Sequence, residues 1–259
     1  MKSKHLKNFY IFLVLLFLFL PIFILVVYSF NSSRLNVTFE NFTFDWYLSL
    51  MDNVSLLEAF KNTLLIAFVS TTVSVIIGTM GAIAMHRYQF KTKKALDTLL
   101  YIPIVIPEIV LGISLLSIFT LTNIELSLIT ITLAHITFCV PFVVLCVRST
   151  LSSYDDQIEL AAMDLGANKF KTLFYITIPS LLPGIASGAL LAFSLSLDDV
   201  IISYFTAGPG SNTLPLKIFS MIKMGITPEV NALTTIILLF TIIALSLFII
   251  IQIKKNKKG

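Results

Sequence analysis

Charged residues are scarce in this chain, and so are cysteines. Asp, Glu, Lys and Arg make up 12% of its 259 residues, whereas about 25% is usual for a soluble domain. The two cysteines, Cys139 and Cys146, share one apolar run, and at that spacing within one helix they cannot form a disulfide. These shortages argue against a soluble enzyme, a disordered chain and a nucleic-acid-binding protein.

Residue patterns that carry catalysis are also missing. The sequence has no Gly-rich loop ending in Lys-Ser or Lys-Thr, so it does not bind ATP by that route. It has no Ser, His and Asp set and no cluster with metal-ligand spacing. We therefore predict no catalytic residue, no metal and no cofactor on this chain. His135 lies alone in an apolar run, where we expect a hydrogen bond to a neighbouring helix rather than a metal site.

Long apolar runs dominate what is present. Hydrophobic residues make up 57% of the chain, and a membrane-spanning helix needs about 20 mostly apolar residues. Six stretches meet that requirement. We predict an all-α integral membrane protein that forms a single domain over 1–259, with six transmembrane helices at about 9–30, 59–85, 99–121, 126–147, 181–205 and 231–253.

Positive charge sets the predicted orientation. Loops rich in Lys and Arg stay in the cytoplasm. If both termini are cytoplasmic, the cytoplasmic segments hold 14 of the 18 Lys and Arg residues. The sequence thus predicts a multi-pass protein with cytoplasmic N and C termini. Its basic residues form short clusters between apolar runs, so nucleic acid is not an expected partner.

The longest predicted cytoplasmic connection covers 148–180. Ser153 stands three residues before Asp156, which is the spacing of a helix start. Gly166 allows a bend, and Pro179 marks the approach to the fifth span. The pattern predicts a short helix-turn-helix at the membrane surface. It is either an amphipathic linker or a docking site for another protein.

This segment carries a recognisable motif. Leu160-Ala-Ala-Met-Asp-Leu-Gly166, followed by Ile176-Thr-Ile-Pro179, resembles the EAA loop of permeases in ATP-binding-cassette (ABC) importers. The two alanines, the glycine, the first isoleucine and the proline fall in the register of that motif. Leu160 takes the position of the motif's glutamate. Glu159 lies one residue earlier, which turns its side chain by about 100° on a helix.

The resemblance implies a type I ABC-importer permease, which is a transport subunit in a bacterial plasma membrane and not an enzyme. Its implied partners are a second homologous permease, two ATPase subunits that carry ATP and Mg, and an extracytoplasmic binding protein. The resemblance also implies that the loop couples to the ATPase through Glu159, Ala161, Ala162, Gly166, Ala167, Lys169 and Pro179.

The later part of the sequence points to one branch within this family of permeases. Ser194-Leu-Ser-Leu-Asp-Asp199, then Gly208-Pro, then Pro228-Glu-Val-Asn-Ala232 resemble the polyamine branch of this family. The resemblance implies inward transport of spermidine or putrescine by alternating access, and it implies that the extracytoplasmic partner binds polyamines.

Acidic residues inside the predicted spans are candidates for the substrate pathway. A carboxylate in the bilayer core costs about 2.5–3.5 kcal/mol on insertion scales, so it usually faces a pathway or a partner. Glu108, Asp198 and Asp199 fit this description, and they suit an elongated polycation. On a continuous third span, Glu108 would lie about 15 Å deep; the alternative is a protonated or paired acid at a subunit interface.

Adjacent aspartates on a helix point about 100° apart. We therefore expect one of Asp198 and Asp199 to face the pathway and the other to cap a helix or bond backbone at a break. Ser196 adds a hydroxyl acceptor. Trp46 in the first outer loop can hold an alkylammonium group by cation–π attraction, or it can anchor the chain at the membrane interface.

Three competing functions remain open from the residues alone. A stand-alone ion-coupled carrier or channel for a small organic cation often has inverted repeats, and none is evident here. An intramembrane enzyme would need a catalytic set, such as paired Ser and His or two aspartates on separate helices, whereas Asp198 and Asp199 are adjacent. An ABC permease for a different solute fits the docking loop as well as a polyamine permease does.

Overall fold

A computed structural model describes residues 2–33, 38–224, 228–239 and 242–243. Within those residues the chain is helical, with no β-strand and one isolated antiparallel bridge between Asn31 and Phe42. The helices are α1 (Lys2–Tyr28), α2 (Asp45–Asp52), α3 (Val54–Arg87), α4 (Lys93–Val105), α5 (Glu108–Leu121), α6 (Leu128–Leu151), α7 (Gln157–Asp164), α8 (Lys169–Thr172), α9 (Ile178–Ser180), α10 (Leu182–Asp198), α11 (Ile201–Thr206), α12 (Leu214–Met224) and α13 (Pro228–Leu239). A π-helical turn, Leu173–Thr177, joins α8 to α9.

The all-helical class agrees with the long apolar runs, because a helix satisfies its own backbone hydrogen bonds in lipid. Three helices are long and apolar enough to cross a membrane unaided: Lys7–Tyr28, Val54–Arg87 and Leu128–Leu151. Two bent pairs of helices raise the number of candidate spans to five among the described residues. Most of the predicted sixth span, 231–253, lies outside the described residues.

The predicted third span, 99–121, is not one straight helix. α4 and α5 meet at an angle of 112°, and Ile106 between them is extended, with φ −71° and ψ 136°. Pro107 explains the break, because a proline pushes the residue before it out of the helical region. The depth of about 15 Å expected for Glu108 rested on a continuous helix, so that estimate does not hold.

The predicted fifth span, 181–205, is also divided. α10 ends at Asp198, and Asp199 is extended, with φ −68° and ψ 126°. A second short helix, α11, then begins at Ile201. At the other end of α10, the helical segment Lys169–Ser180 meets it at 66°.

The chain forms two compact units, one of residues 1–57 with 218–259 and one of residues 58–217. In the second unit α6 is central, and α4, α10 and α11 pack on it. A Cβ atom at Gly188 of α10 would lie 3.2 Å from the Cα atom of Val143 on α6. The close approach of these two helices therefore needs a small residue, as is common between membrane helices.

Candidate functional site

An open cleft of about 310 Å³ lies where the two helix breaks of the second unit meet. Glu108 is the first residue of α5, and Asp198 is the last residue of α10. Both side chains are exposed, and α11 packs on α5 to bring the breaks together. The lining residues are Glu108, Ser194, Leu195, Asp198, Asp199, Val200 and Ile201.

The two exposed carboxylates give the cleft a negative character. Among the described residues, neither Glu108 nor Asp198 forms a hydrogen bond or an ion pair with a protein group. Asp198 also lies at the C-terminal end of α10, where the helix dipole is unfavourable to a negative charge. A cation bound in the cleft would relieve both effects. The cleft is therefore suited to an ammonium-bearing solute.

Asp199 has a different environment from its neighbour. It is only 8% exposed, and its carboxylate accepts hydrogen bonds from the backbone N–H groups of Ile202 at 3.1 Å and Ser203 at 2.7 Å. This is the capping arrangement that satisfies a helix N-terminus. Of the two adjacent aspartates, Asp198 thus opens into the cleft and Asp199 caps α11.

A buried polar network continues from Asp199 into the helices. His135 of α6 places Nε2 3.2 Å from Asp199 Oδ2 and 3.1 Å from Ser203 Oγ. Its Nδ1 lies 2.7 Å from Ser196 Oγ, and Ser196 Oγ lies 3.0 Å from Ser70 Oγ. The predicted hydrogen bond from His135 to a neighbouring helix is confirmed. Among the described residues, no group of three or more His, Cys, Asp and Glu side chains is arranged to hold a metal ion.

Three serines belong to this network. Ser196, a candidate for lining the pathway, is buried between His135 and Ser70. Ser70 and Ser203 were not singled out in the sequence. Their only signal was a small polar residue within an apolar run, which is weak because serine in a helix commonly bonds its own backbone.

The segment after α6 forms the predicted helix-turn-helix. α7 ends where Gly166 takes φ +92°, a conformation that glycine adopts readily and other residues rarely do. The N–H of Gly166 bonds Met163 O at 2.9 Å, and that of Ala167 bonds Ala162 O at 3.0 Å. Asn168 then caps α8 by accepting from Lys171 N at 2.9 Å.

Glu159 ties this segment to the end of α3. Arg87 Nη2 lies 2.6 Å from both carboxylate oxygens of Glu159. The hydroxyl of Thr177 donates to Glu159 at 2.6 Å, and that of Tyr154 donates at 3.1 Å. Burial opposes ionisation, but the bonds from Thr177 and Arg87 and the charge of Arg87 outweigh it and hold the pKa of Glu159 below its usual value.

Several large apolar side chains of the segment are exposed. Leu165 is 90% exposed, Tyr175 79% and Phe170 75%. Leu160, which takes the motif's glutamate position, is 49% exposed. Of the other predicted coupling residues, Ala161, Gly166, Lys169 and Pro179 are exposed, and Ala162 and Ala167 are half-buried. These side chains are therefore available for contact with another protein.

Trp46 belongs to the first unit. It lies in α2, and its indole N–H donates to Asn31 O at 2.7 Å. Beside it, Tyr47 shares a hydrogen bond of 2.6 Å with Ser29. The indole nitrogen is thus already bonded within its own unit, whereas the ring face keeps partial exposure.

Comparison with known proteins places these features in a family. Residues 74–255 match the family described as the binding-protein-dependent transport system inner membrane component. The chain belongs to this family of membrane permeases, which serve ABC importers. The alginate importer, a bacterial ABC transporter of known structure, has the same fold, with a TM-score of 0.76, 15% identity and 95% of each chain covered.

Individual relatives indicate a more specific class of permease. The chain is 45% identical to the spermidine/putrescine transport system permease protein PotC of Escherichia coli K12, covering 88% of this chain and 86% of that one. It is 41% identical to PotC of Haemophilus influenzae over the full length of both. It is also 41% identical to the putrescine transport system permease protein PotI of E. coli K12, covering 86% of this chain and 82% of that one. This chain is a homologue of these polyamine permease subunits.

Proposed function

We propose that this chain is a translocating subunit for polyamines, with spermidine or putrescine as substrate. One observation carries the proposal: Glu108 and Asp198 open into the same cleft, each at a helix break. The similarity to PotC and PotI supports the same substrate class.

The chemistry of the cleft suits an elongated polycation. An ammonium group that leaves water needs replacement partners, and carboxylates are the strongest available acceptors. Two carboxylates on different helices can meet two ammonium groups of one diamine or triamine. Both are at breaks, where the backbone is not locked into a continuous helix. Binding there can weaken when the helices move, which allows release to the cytoplasm.

The proposal includes the rest of an importer. A second homologous permease would complete the pathway, and two ATPase subunits would supply the ATP and Mg chemistry. An extracytoplasmic binding protein would deliver the polyamine. In this arrangement the chain has six spans in a bacterial plasma membrane, with both termini in the cytoplasm. It catalyses no covalent step.

The helix-turn-helix of residues 153–180 is the proposed ATPase contact. It exposes large apolar side chains, among them Leu165 and Phe170, that suit burial against another protein. Its inward face holds Arg87 at the end of α3 through Glu159. Motion of the docked ATPase can therefore reach α3 through the ion pair between Arg87 Nη2 and both oxygens of Glu159, and α3 is long enough to cross the membrane.

Uptake of radiolabelled spermidine into proteoliposomes tests the proposal. The complete complex would carry Asp198→Asn or Glu108→Gln, and Glu125→Gln would serve as a control at an exposed acid outside the cleft. Each cleft variant should reduce uptake about tenfold or more, because a bound charge loses a partner worth about 1.5–3 kcal/mol. Complex assembly should be unchanged. Normal uptake in both variants would remove these acids from the pathway.

A further inference from the structure

Behind the wall of the cleft lies a buried cluster that the proposed transport step does not use. Its centre, His135, is 1% exposed. The other members of the cluster come from three parts of the second unit. Ser196 of α10, and Asp199 with Ser203 at the start of α11, contact His135, and Ser70 of α3 contacts Ser196. The cluster therefore joins α6 to both sides of the α10–α11 break.

The two nitrogen atoms of His135 have separate partners. Nδ1 is bonded to Ser196, in the last turn of α10. Nε2 is bonded to Asp199 and Ser203, which lie beyond the break. A buried carboxylate needs several donors to remain stable. Backbone N–H groups supply two of them, and His135 supplies a side-chain contact from a different helix.

The two neighbouring carboxylates have different surroundings. Asp198, the last residue of α10, is exposed and lines the cleft, whereas Asp199, which is extended, is only 8% exposed and contacts His135. With Asp199 turned inward to His135, Asp198 is turned outward into the cleft. Loss of the inward contact would free the break to rotate, and Asp198 would leave its position opposite Glu108.

We propose that His135 is a positioning residue for the cleft: its Nε2 contact with Asp199 holds the α10–α11 break so that Asp198 faces the solute. This inference rests on the proposed function for its consequence in transport. The positioning itself is a property of the protein alone and can be measured without a polyamine.

Two conservative substitutions of His135 test the roles of its two nitrogen atoms separately. The amide nitrogen of asparagine takes approximately the place of histidine Nδ1, and that of glutamine takes approximately the place of Nε2. His135→Gln therefore keeps a donor for Asp199, whereas His135→Asn keeps only the partner of Ser196. A role in packing alone would be disturbed by both changes, so the pair distinguishes positioning from packing.

The readout is the chemical reactivity of position 198. Asp198→Cys would be placed in the assembled complex with Cys139 and Cys146 changed to Ala, and labelled with a cationic thiol reagent. We expect rapid labelling with His135 present, a rate about tenfold lower with His135→Asn, and a rate within about threefold of the parent with His135→Gln. Ser70→Ala, at the far end of the cluster, should leave the rate unchanged.

Equal labelling rates in the Asn and Gln variants would overturn the proposal. If His135→Asn does not assemble, Asp199→Asn carries the test, because it weakens the same contact from the other side. An unchanged labelling rate in that variant would also overturn the proposal.

In complexes that keep Asp198, the KM for spermidine should rise about tenfold with His135→Asn and little with His135→Gln. If the labelling rates are as expected but the wild-type complex takes up no spermidine, the proposed function is wrong and the positioning role of His135 is still supported.

Discussion

Two carboxylates of the second unit, Asp199 and Glu159, each accept several hydrogen bonds, but they are held in different ways. Asp199 is enclosed by helices and is bonded to backbone N–H groups and to a histidine. Glu159 lies at the surface segment and is bonded to Arg87, Thr177 and Tyr154. The first lies at a helix break beside the cleft, and the second ties the proposed docking segment, which is the helix-turn-helix of residues 153–180, to the end of α3. The comparison predicts that solute binding and ATPase coupling can be damaged separately.

The largest expected effect comes from removing both exposed acids of the cleft. Glu108→Gln with Asp198→Asn should lower spermidine uptake about 100-fold and leave basal ATP hydrolysis unchanged. This value is the product of two independent effects of about tenfold each. A clearly different fall would show that the two acids are energetically coupled through one bound polyamine. Measuring uptake and ATP hydrolysis in the same proteoliposomes would decide this. An equal fall in both activities would contradict the separation of cleft and loop.

The next effect concerns the turn in the docking segment. Gly166→Val forces a β-branched residue into φ +92°, at a cost of about 1–2 kcal/mol or more. Transport per ATP hydrolysed should fall several-fold, with little change in the KM for spermidine. Gly210→Val is the matched control, because Gly210 has φ +74° and equally open surroundings but lies outside the docking segment. A similar loss of coupling in both variants would indicate general strain instead.

A smaller effect is expected from Arg87→Lys. The lysine keeps the charge, but its ammonium is not held in the plane of a guanidinium, so it is not expected to match the position of Arg87 Nη2, which contacts both Glu159 oxygens and the Thr177 hydroxyl. Coupling should fall about threefold, and Arg87→Ala should lower it further. The ratio of transport to ATP hydrolysis measures this. If the Lys variant raised the KM for spermidine and left the ratio intact, the assignment of this ion pair to the docking segment would be wrong.

The smallest effect is a pH dependence of the docking segment. Because the bonds from Thr177 and Arg87 outweigh burial and lower the pKa of Glu159, the stabilisation is complete above the ordinary glutamate pKa of about 4.3. It is lost as pH falls through the lower pKa of the folded state. Hydrogen exchange of α7, corrected for intrinsic rates, should therefore be flat at neutral pH and rise only in acid. Glu159→Gln should remove the acid-dependent rise.

The sequence predicted the helices well and the breaks within them poorly. Apolar runs locate α3 and α6 because hydrophobicity is a local signal. Pro107 was a visible reason for a break, yet the hydropathy of 99–121 alone indicated a continuous span. A cap or break at one of the adjacent aspartates was expected and is confirmed at Asp199. Which of the two would cap was left open, because a capping aspartate is identified only when the donors that it accepts from are known.

The candidate site shows the same limit. Glu108 and Asp198 were found as acids in apolar runs, which is a property of single residues. The contact between Arg87 and Glu159 joins residues 72 positions apart, and His135 reaches Asp199 over 64 positions. Such pairs depend on helix packing, and one sequence contains no direct signal for them. The same packing turns Glu159 inward to Arg87, whereas the neighbouring Leu160 is exposed.

The most direct test of the central claim is ATP-driven spermidine uptake by the reconstituted complex with and without this chain. The second permease, the ATPase and the binding protein would be present in both preparations. The account predicts uptake that requires both internal ATP and this chain. Uptake without ATP would indicate a stand-alone carrier, and an assembled complex whose ATPase responds to another solute but which takes up no spermidine would contradict the assignment to polyamines.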